Sequence, residues 1–218
     1  MLLKMEHKNT VPATEQMKNS SDISFLGRPD APFKILILGN SITRHGPKPD
    51  IGWMGDWGMA ASREDKDYVH QLYAKLTADG RDVFVRVRHA SDWENAIGEG
   101  PDLTDFAEEQ AFAADLVIFR LGENVKTADV PYFEGAIREF MNYLCPKKSL
   151  FTTCFWRNPA KDDAIRAIAA ERNSPCADIG ATEDAMMALG QFEHTGVAVH
   201  PSDAGMAMIA ERIFACIQ

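Results

Sequence analysis

Short apolar segments alternate with longer segments of helical spacing along most of the chain, and this alternation limits the folds open to it. Residues 34–39 contain a continuous apolar run ending in glycine, typical of a strand buried on both faces of a parallel sheet. Residues 115–119 and 149–154 repeat this pattern. Residues 82–88 alternate apolar and charged side chains, as a strand nearer a sheet edge does. These four segments are the predicted strands.

Between the predicted strands, apolar residues recur at steps of three and four, the spacing of amphipathic helices. The residues that carry this spacing are Tyr68, Leu72 and Leu76, then Phe133, Ile137 and Met141, then Ile165, Ile168 and Ala169. A last helix is predicted from about Asp203, with Ser202 as its N-cap. The alternation predicts an α/β fold in which helices cover both faces of a central parallel sheet and functional residues follow the carboxyl ends of strands.

The length of 218 residues favours one folded domain, because two independent cores need a longer chain. Residues 1–30 are polar and carry scattered lysines, so we expect an N-terminal arm there that lacks stable structure. Residues 31–218 are the predicted folded domain. Four scattered cysteines lack the close spacing of zinc sites, and we expect them to be reduced thiols.

The formal net charge of -9 opposes binding to nucleic acid or to anionic membranes, both of which require clusters of lysine and arginine. No apolar run approaches the length of a membrane span or has the form of a signal peptide. We therefore expect a cytoplasmic protein, or a periplasmic or secreted one if a leader has been removed. The sequence does not indicate the oligomeric state.

Three polar motifs lie where functional residues are expected. Ser41 follows Gly39-Asn40 directly after the first predicted strand, where its side chain and its N–H can face a ligand, although a helix N-cap is an equal alternative. Asn124 follows the strand at 115–119 and can donate to developing negative charge, although a simple turn is also possible. His200 precedes Pro201, which favours an extended backbone and gives the imidazole a fixed position before the last helix.

Together, Gly39-Asn40-Ser41-Ile42-Thr43, Gly122-Glu123-Asn124 and His200-Pro201-Ser202-Asp203-Ala204-Gly205 resemble three sequence blocks of the SGNH (GDSL-like) hydrolase family, in the same order. The resemblance spans roughly residues 34–217. It implies a flavodoxin-like three-layer α/β/α sandwich and a serine esterase that needs no metal or organic cofactor. It also implies that Ser41 is the nucleophile, that His200 is the general base, and that Asn124 and the Ser41 N–H form the oxyanion hole.

The chain departs from the family pattern at two places. The segment 88–93 lacks the glycine of the second block, so a backbone N–H of Ala90 or Ser91 is expected to complete the oxyanion hole. Val197 occupies the position of the usual triad aspartate. The candidates for orienting His200 are then a main-chain carbonyl within 196–198, which is slightly favoured, or the carboxylates of Glu123 and Glu193.

The substrate implied by the family is a small acyl ester, with an O-acetyl group on a carbohydrate favoured. Trp53 and Trp57, in a glycine-rich loop, are candidate substrate-lining residues, with anchoring of that loop to the core as an equal alternative. Arg120, His89, His45 and Glu94 could border the same cleft, although surface positions are the default expectation. Lysophospholipase or thioesterase activity, or a non-catalytic binding protein on the same fold, are the alternative functions. No glycine-rich nucleotide-binding motif follows the first strand.

Overall fold

The computed structural model describes residues 22–217, which contain six strands and seven helices. The strands are β1 (Ile23–Leu26), β2 (Phe33–Gly39), β3 (Val83–His89), β4 (Leu116–Arg120), β5 (Lys148–Thr152) and β6 (Cys176–Ala177). The helices are α1 (Tyr68–Ala78), α2 (Ser91–Asn95), α3 (Ala107–Phe112), α4 (Val130–Leu144), α5 (Pro159–Glu171), α6 (Thr195–Ala198) and α7 (Asp203–Ile217). All four predicted strands and all four predicted helices are therefore present.

The strands form one sheet in the order β1-β3-β2-β4-β5-β6. From β3 to β6 all neighbouring strands are parallel, as predicted, whereas β1 pairs antiparallel with β3 at one edge. The prediction of a folded domain starting at residue 31 is therefore corrected, because Ile23–Leu26 is already part of the sheet. This strand is short and its Phe25 is exposed, so its sequence lacks a buried pattern. Residues 1–21 of the predicted arm lie outside the described residues.

Helices cover both faces of the sheet, which gives the three-layer α/β/α sandwich. In β2, Ile35 and Ile37 face one core together with α1 and α7, whereas Leu36 and Leu38 face a second core together with α4 and α5. This alternation follows from the pleat of the strand, and it explains why β2 is apolar throughout. Within residues 22–217 no helix has the length and apolar character needed to cross a membrane.

Candidate active site

The register of the sheet brings the segments after β2, β3 and β4 to the same end of the strands. Gly39 at the end of β2 pairs with His89 of β3 and with Arg120 of β4, so these strands end at the same level. The chain then continues into the segments that carry Ser41, Ser91 and Asn124. This end of the strands is where ligands bind in parallel α/β sheets.

Ser41 lies in a tight turn between β2 and the loop that follows. A side chain on Gly39 would collide with Thr43, so the turn requires glycine at that position. The N–H groups of Thr43 and Arg44 donate to the Asn40 carbonyl at 2.8 and 3.0 Å and close the turn. The Ser41 carbonyl accepts from the Met59 N–H at 2.8 Å, which fixes the Ser41 backbone.

The hydroxyl of Ser41 contacts the imidazole of His200 although the two residues are 159 positions apart in the chain. The Ser41 Oγ to His200 Nε2 distance is 2.8 Å, that of a good hydrogen bond. His200 lies three residues before the first residue of α7, Asp203. Ser202 caps this helix, because its Oγ accepts from the Gly205 N–H at 3.3 Å, as the predicted N-cap requires. The beginning of α7 therefore holds His200 beside the end of β2.

The other ring nitrogen of His200 contacts a main-chain oxygen. Its Nδ1 lies 2.7 Å from the carbonyl oxygen of Gly196 in the one-turn helix α6. A carbonyl only accepts hydrogen bonds, so this contact places the proton on Nδ1 and leaves the Nε2 lone pair facing the Ser41 hydroxyl. That tautomer is the one a general base needs. The His200 N–H donates to the Val197 carbonyl, so the Gly196 carbonyl remains free for the ring.

Neither predicted carboxylate contacts this ring, and both are corrected as candidates for orienting it. Glu193 is exposed beside a different surface groove, and the Glu123 carboxylate is buried against Arg120. Val197 at the usual aspartate position is fully buried in a small apolar cluster with Trp53 and Met59. Burial lowers the pKa of His200 to about 4; the hydrogen bond to Gly196 opposes this shift and the charge of Arg120 adds to it.

The side chain of Asn124 is held by a buried carboxylate. Its Nδ2 donates to Glu94 Oε2 at 2.7 Å, which uses one of its two amide hydrogens and leaves the second for another acceptor. Glu94 also accepts from the Gly122 N–H at 2.5 Å and from Asn40 Nδ2 at 3.2 Å. Gly122 has φ of 147°, a conformation that requires glycine. Burial, and secondarily the nearby charge of Glu123, raises the pKa of Glu94.

A buried ion pair supports the same loops. Arg120 is fully buried, and it donates to Glu123 Oε1 at 2.5 Å and to Asn40 Oδ1 at 2.7 Å. Glu123 in turn accepts from Asn40 Nδ2 at 2.7 Å and from the Phe155 N–H at 2.8 Å. The default expectation of surface positions for Arg120 and Glu94 is therefore wrong. These charges connect the segments after β2, β4 and β5 beneath the candidate site.

The two backbone groups proposed after β3 have different environments. The Ala90 N–H donates to the Gly39 carbonyl at 2.7 Å, so Ala90 is already bound and is corrected as an oxyanion donor. Ser91 is the first residue of α2 and lines the same cavity as Ser41, Asn124 and His200. The first N–H groups of a helix have no acceptor within the helix. The Ser91 N–H is therefore the remaining candidate from this loop.

The predicted substrate-lining tryptophans anchor a loop instead. Trp53 is buried and packs edge-on against Trp57 with ring centroids 5.7 Å apart. Trp53 Nε1 donates to the His45 carbonyl and Trp57 Nε1 to the Ala61 carbonyl, each at 3.0 Å. Neither ring lines the cavity at Ser41, so the anchoring alternative is the one observed.

A cavity of about 320 Å³ opens at the Ser41 hydroxyl. Its lining residues are Ser41, His45, Lys48, Ile51, Met59, His89, Ser91, Asn95, Asn124, His194, Gly196 and His200. His45 and His89 therefore border the cleft, which was one of the two positions expected for them. Across residues 22–217, no group of three or more histidine, cysteine or acidic side chains is arranged to hold a metal ion.

One aromatic contact of His200 was not predicted from the sequence. Trp156 packs edge-on against His200, with ring centroids 5.2 Å apart, and its Nε1 donates to the Val199 carbonyl at 3.0 Å. Trp156 follows β5 by only a few residues, and the position of a polar or aromatic residue after a predicted strand is the signal that could have found it.

Comparison with solved structures finds similar folds. A GDSL-like lipase from Parabacteroides merdae, described as putative, superposes with a TM-score of 0.57 at 17% identity, covering 84% of this chain and 94% of that one. A lipase/acylhydrolase from Enterococcus faecalis gives 0.59 at 15% identity, over 84% and 94%. A family two carbohydrate esterase from Clostridium thermocellum gives 0.55 at 12% identity, over 85% of this chain and 63% of that one.

No protein-family model matches the sequence, and no curated protein is significantly similar to it. At these identities the likeness concerns the fold, and it extends over more than four fifths of the chain. The chain therefore has the three-layer α/β/α fold of the SGNH (GDSL-like) hydrolases, as the resemblance in its sequence predicted.

Proposed function

We propose that this protein is a serine esterase that uses Ser41 as nucleophile and His200 as general base. The observation that carries the proposal is the 2.8 Å contact between Ser41 Oγ and His200 Nε2, with Nδ1 bonded to the Gly196 carbonyl. This geometry gives a hydroxyl with a base in the correct tautomer, the arrangement that activates a serine nucleophile. It is a dyad in which a main-chain carbonyl replaces the triad acid.

In the proposed reaction, His200 Nε2 accepts the Ser41 proton as Oγ attacks the ester carbonyl. The carbonyl oxygen becomes an oxyanion that receives hydrogen bonds from the free amide hydrogen of Asn124 and from the N–H groups of Ser41 and Ser91. The imidazolium then gives its proton to the departing alcohol, and an acyl-enzyme remains. A water molecule then attacks the acyl-enzyme in the same way, with His200 as base and then as acid, and the carboxylic acid is released.

The proposed substrate is a small acyl ester, with an O-acetyl group on a carbohydrate favoured. The cavity of about 320 Å³ is at the small end of ligand sites, which run from about 300 to 1,000 Å³. Among the proteins with a similar fold are family two carbohydrate esterases and a two-domain esterase active on acetylated mannans. Lipases of the same fold are equally similar, so the preference for a short acyl group rests on the size of the cavity.

Labelling with a fluorophosphonate probe tests the nucleophile, and its pH dependence tests the base. We expect labelling at Ser41, with a rate that is nearly constant from pH 8 to about pH 5 and half-maximal near pH 4. Only neutral His200 can accept the proton, and its lowered pKa keeps it neutral until the pH falls to that value. An ordinary histidine, with a pKa of about 6.5, would give a midpoint more than two units higher.

Circular dichroism at each pH controls for acid unfolding, and the Ser41→Ala variant controls for labelling elsewhere. No labelling of the folded wild type at pH 8 contradicts the esterase proposal and favours a binding protein on this fold. Labelling with a midpoint near pH 6.5 leaves the nucleophile in place but contradicts the buried, neutral state of His200.

Replacing Asn124 with alanine is expected to lower kcat by about 10²- to 10³-fold with a much smaller change in KM. The amide acts mainly on the oxyanion, which exists only in the transition state and intermediate. Steady-state hydrolysis of p-nitrophenyl acetate measures both constants. Asn142→Ala, an exposed change on α4, is the control and is expected to leave both unchanged. An effect confined to KM would instead assign Asn124 to substrate binding.

A further inference from the structure

The cavity at Ser41 contains basic side chains that the proposed mechanism does not use. Lys48, His45, His89 and His194 line it together with His200, and none of its lining residues is an aspartate or glutamate. The whole chain has 32 acidic residues against 23 lysines and arginines. A wall without acidic groups is therefore a local reversal of the overall charge, of the kind that attracts anions into clefts.

The tryptophan-containing loop explains how two of these residues come to face the cavity. Lys48 and Trp53 exchange backbone hydrogen bonds of 2.7 and 3.2 Å, and the His45 N–H donates to the Trp57 carbonyl at 2.9 Å. The buried Trp53 ring fastens this hairpin-like segment to the protein, and its Nε1 holds the His45 carbonyl. The loop thus holds the backbones of Lys48 and His45 at the cavity while keeping the aromatic rings away from it.

The ammonium group of Lys48 forms no ion pair within the described residues 22–217. No carboxylate of these residues lies within ion-pair distance of it, whereas His89, which lines the same cavity, faces Asp22 at 3.4 Å. His45 uses Nδ1 on the Gly46 carbonyl at 2.6 Å and so directs Nε2 elsewhere. The rings of His45 and His89 lie 5.9 Å apart. Burial lowers the pKa of His45 and the charges of His89 and Lys48 add to this shift, whereas the hydrogen bond to Gly46 and the charge of Asp22 oppose it.

We propose that the ester substrate carries a carboxylate in its alcohol part, and that Lys48 binds this carboxylate while the acyl carbonyl lies at Ser41. His194 lines the same cavity, and its ring can offer an N–H donor to the bound carboxylate. The volume of the cavity matches a bound part of about one sugar ring, as in an O-acetylated uronic acid. This inference rests on the proposed esterase function and specifies its substrate.

The test compares two substrates that differ in charge and by one methyl group: the methyl glycoside of an O-acetylated glucuronic acid, and the methyl ester of that acid. Acetate release at low ionic strength gives kcat/KM for each. We expect the wild type to prefer the free acid by about tenfold or more, mainly through KM, because the ion pair forms already in the bound ground state. The preference should shrink in 0.5 M NaCl, in which charges are screened over about 4 Å.

Lys48→Gln is expected to lower the ratio of the two kcat/KM values by about fivefold or more, whereas Lys48→Arg should preserve it. Lys147→Gln is the matched control: this exposed lysine pairs with Asp115 at the opposite end of the strands, and its loss should leave the ratio unchanged.

The two proposals fail in distinguishable ways. Hydrolysis of the neutral ester that depends on Ser41, without a preference for the acid, overturns the inference and leaves the esterase standing. An equal fall of the ratio in Lys48→Gln and Lys147→Gln also overturns it, since net charge alone would then be responsible. If the folded wild type shows no hydrolysis and no fluorophosphonate labelling, the esterase proposal is contradicted, and the inference is contradicted with it.

Discussion

Replacing Ser41 with alanine is expected to lower kcat for ester hydrolysis by about 10⁴-fold or more. Without the hydroxyl no acyl-enzyme can form, and His200 is left facing a methyl group. The folded state should be nearly unaffected, because the hydroxyl is half-buried and its hydrogen bond to His200 is replaced by water. Initial rates on p-nitrophenyl acetate, measured at high enzyme concentration, together with thermal unfolding, check both parts.

The control is Ser24→Ala on the edge strand β1, which pairs with Val87 of β3 and does not line the cavity. It removes the same atom and should leave kcat unchanged. If Ser41→Ala retains more than a few per cent of the activity while remaining folded, Ser41 is not the nucleophile, and its 2.8 Å contact with His200 does not serve catalysis.

Replacing Arg120 with methionine is expected to destabilise the protein by about 3–5 kcal/mol. The Glu123 side chain is only 2% exposed, so the variant leaves a buried carboxylate without its cation. The side-chain oxygen of Asn40 also loses the hydrogen bond that the guanidinium donates to it. Urea unfolding followed by circular dichroism measures the change in the free energy of unfolding, with a constant m-value as the test of two-state behaviour.

The double variant Arg120→Met/Glu123→Gln separates two causes of the lost stability: the loss of packing by Arg120 and the buried Glu123 charge that is left without a partner. Glutamine keeps an acceptor oxygen without a net charge, so the double variant should be more stable than Arg120→Met alone. Arg138→Met, which breaks a solvent-exposed pair with Glu171, is the matched control and should have a far smaller effect. Equal losses in Arg120→Met and Arg138→Met would contradict the importance of burial.

The fold could be predicted because its signals are local. The apolar run of β2 and the helical spacing of α4 each reflect burial against the sheet, and each places its element correctly. The edge strand β1 was missed because a short, half-exposed strand gains its order from pairing with β3, and that partner follows it by some sixty residues. No periodicity within Ile23–Leu26 encodes such a pairing.

The candidate site could be predicted only where a residue type was distinctive and also lay directly after a predicted strand or before a predicted helix. Ser41, Asn124 and His200 meet that condition. The buried positions of Glu94 and Arg120 could not be foreseen, because isolated charged residues are ordinarily exposed and these two are buried by partners from other strands. The partner of His200 Nδ1 is a main-chain atom, so the sequence alone left a carbonyl and two carboxylates as candidates.

That main-chain partner changes how the site responds to substitution over evolutionary time. Every residue type carries a carbonyl, so no single substitution deletes the acceptor that fixes the His200 tautomer. Selection acts instead on the residues that preserve the one-turn helix Thr195–Ala198. These include its buried Val197 and its Gly196, where an added Cβ would lie 2.9 Å from the His194 ring. A site built in this way is robust to the loss of a functional group and fragile to a shift of backbone shape.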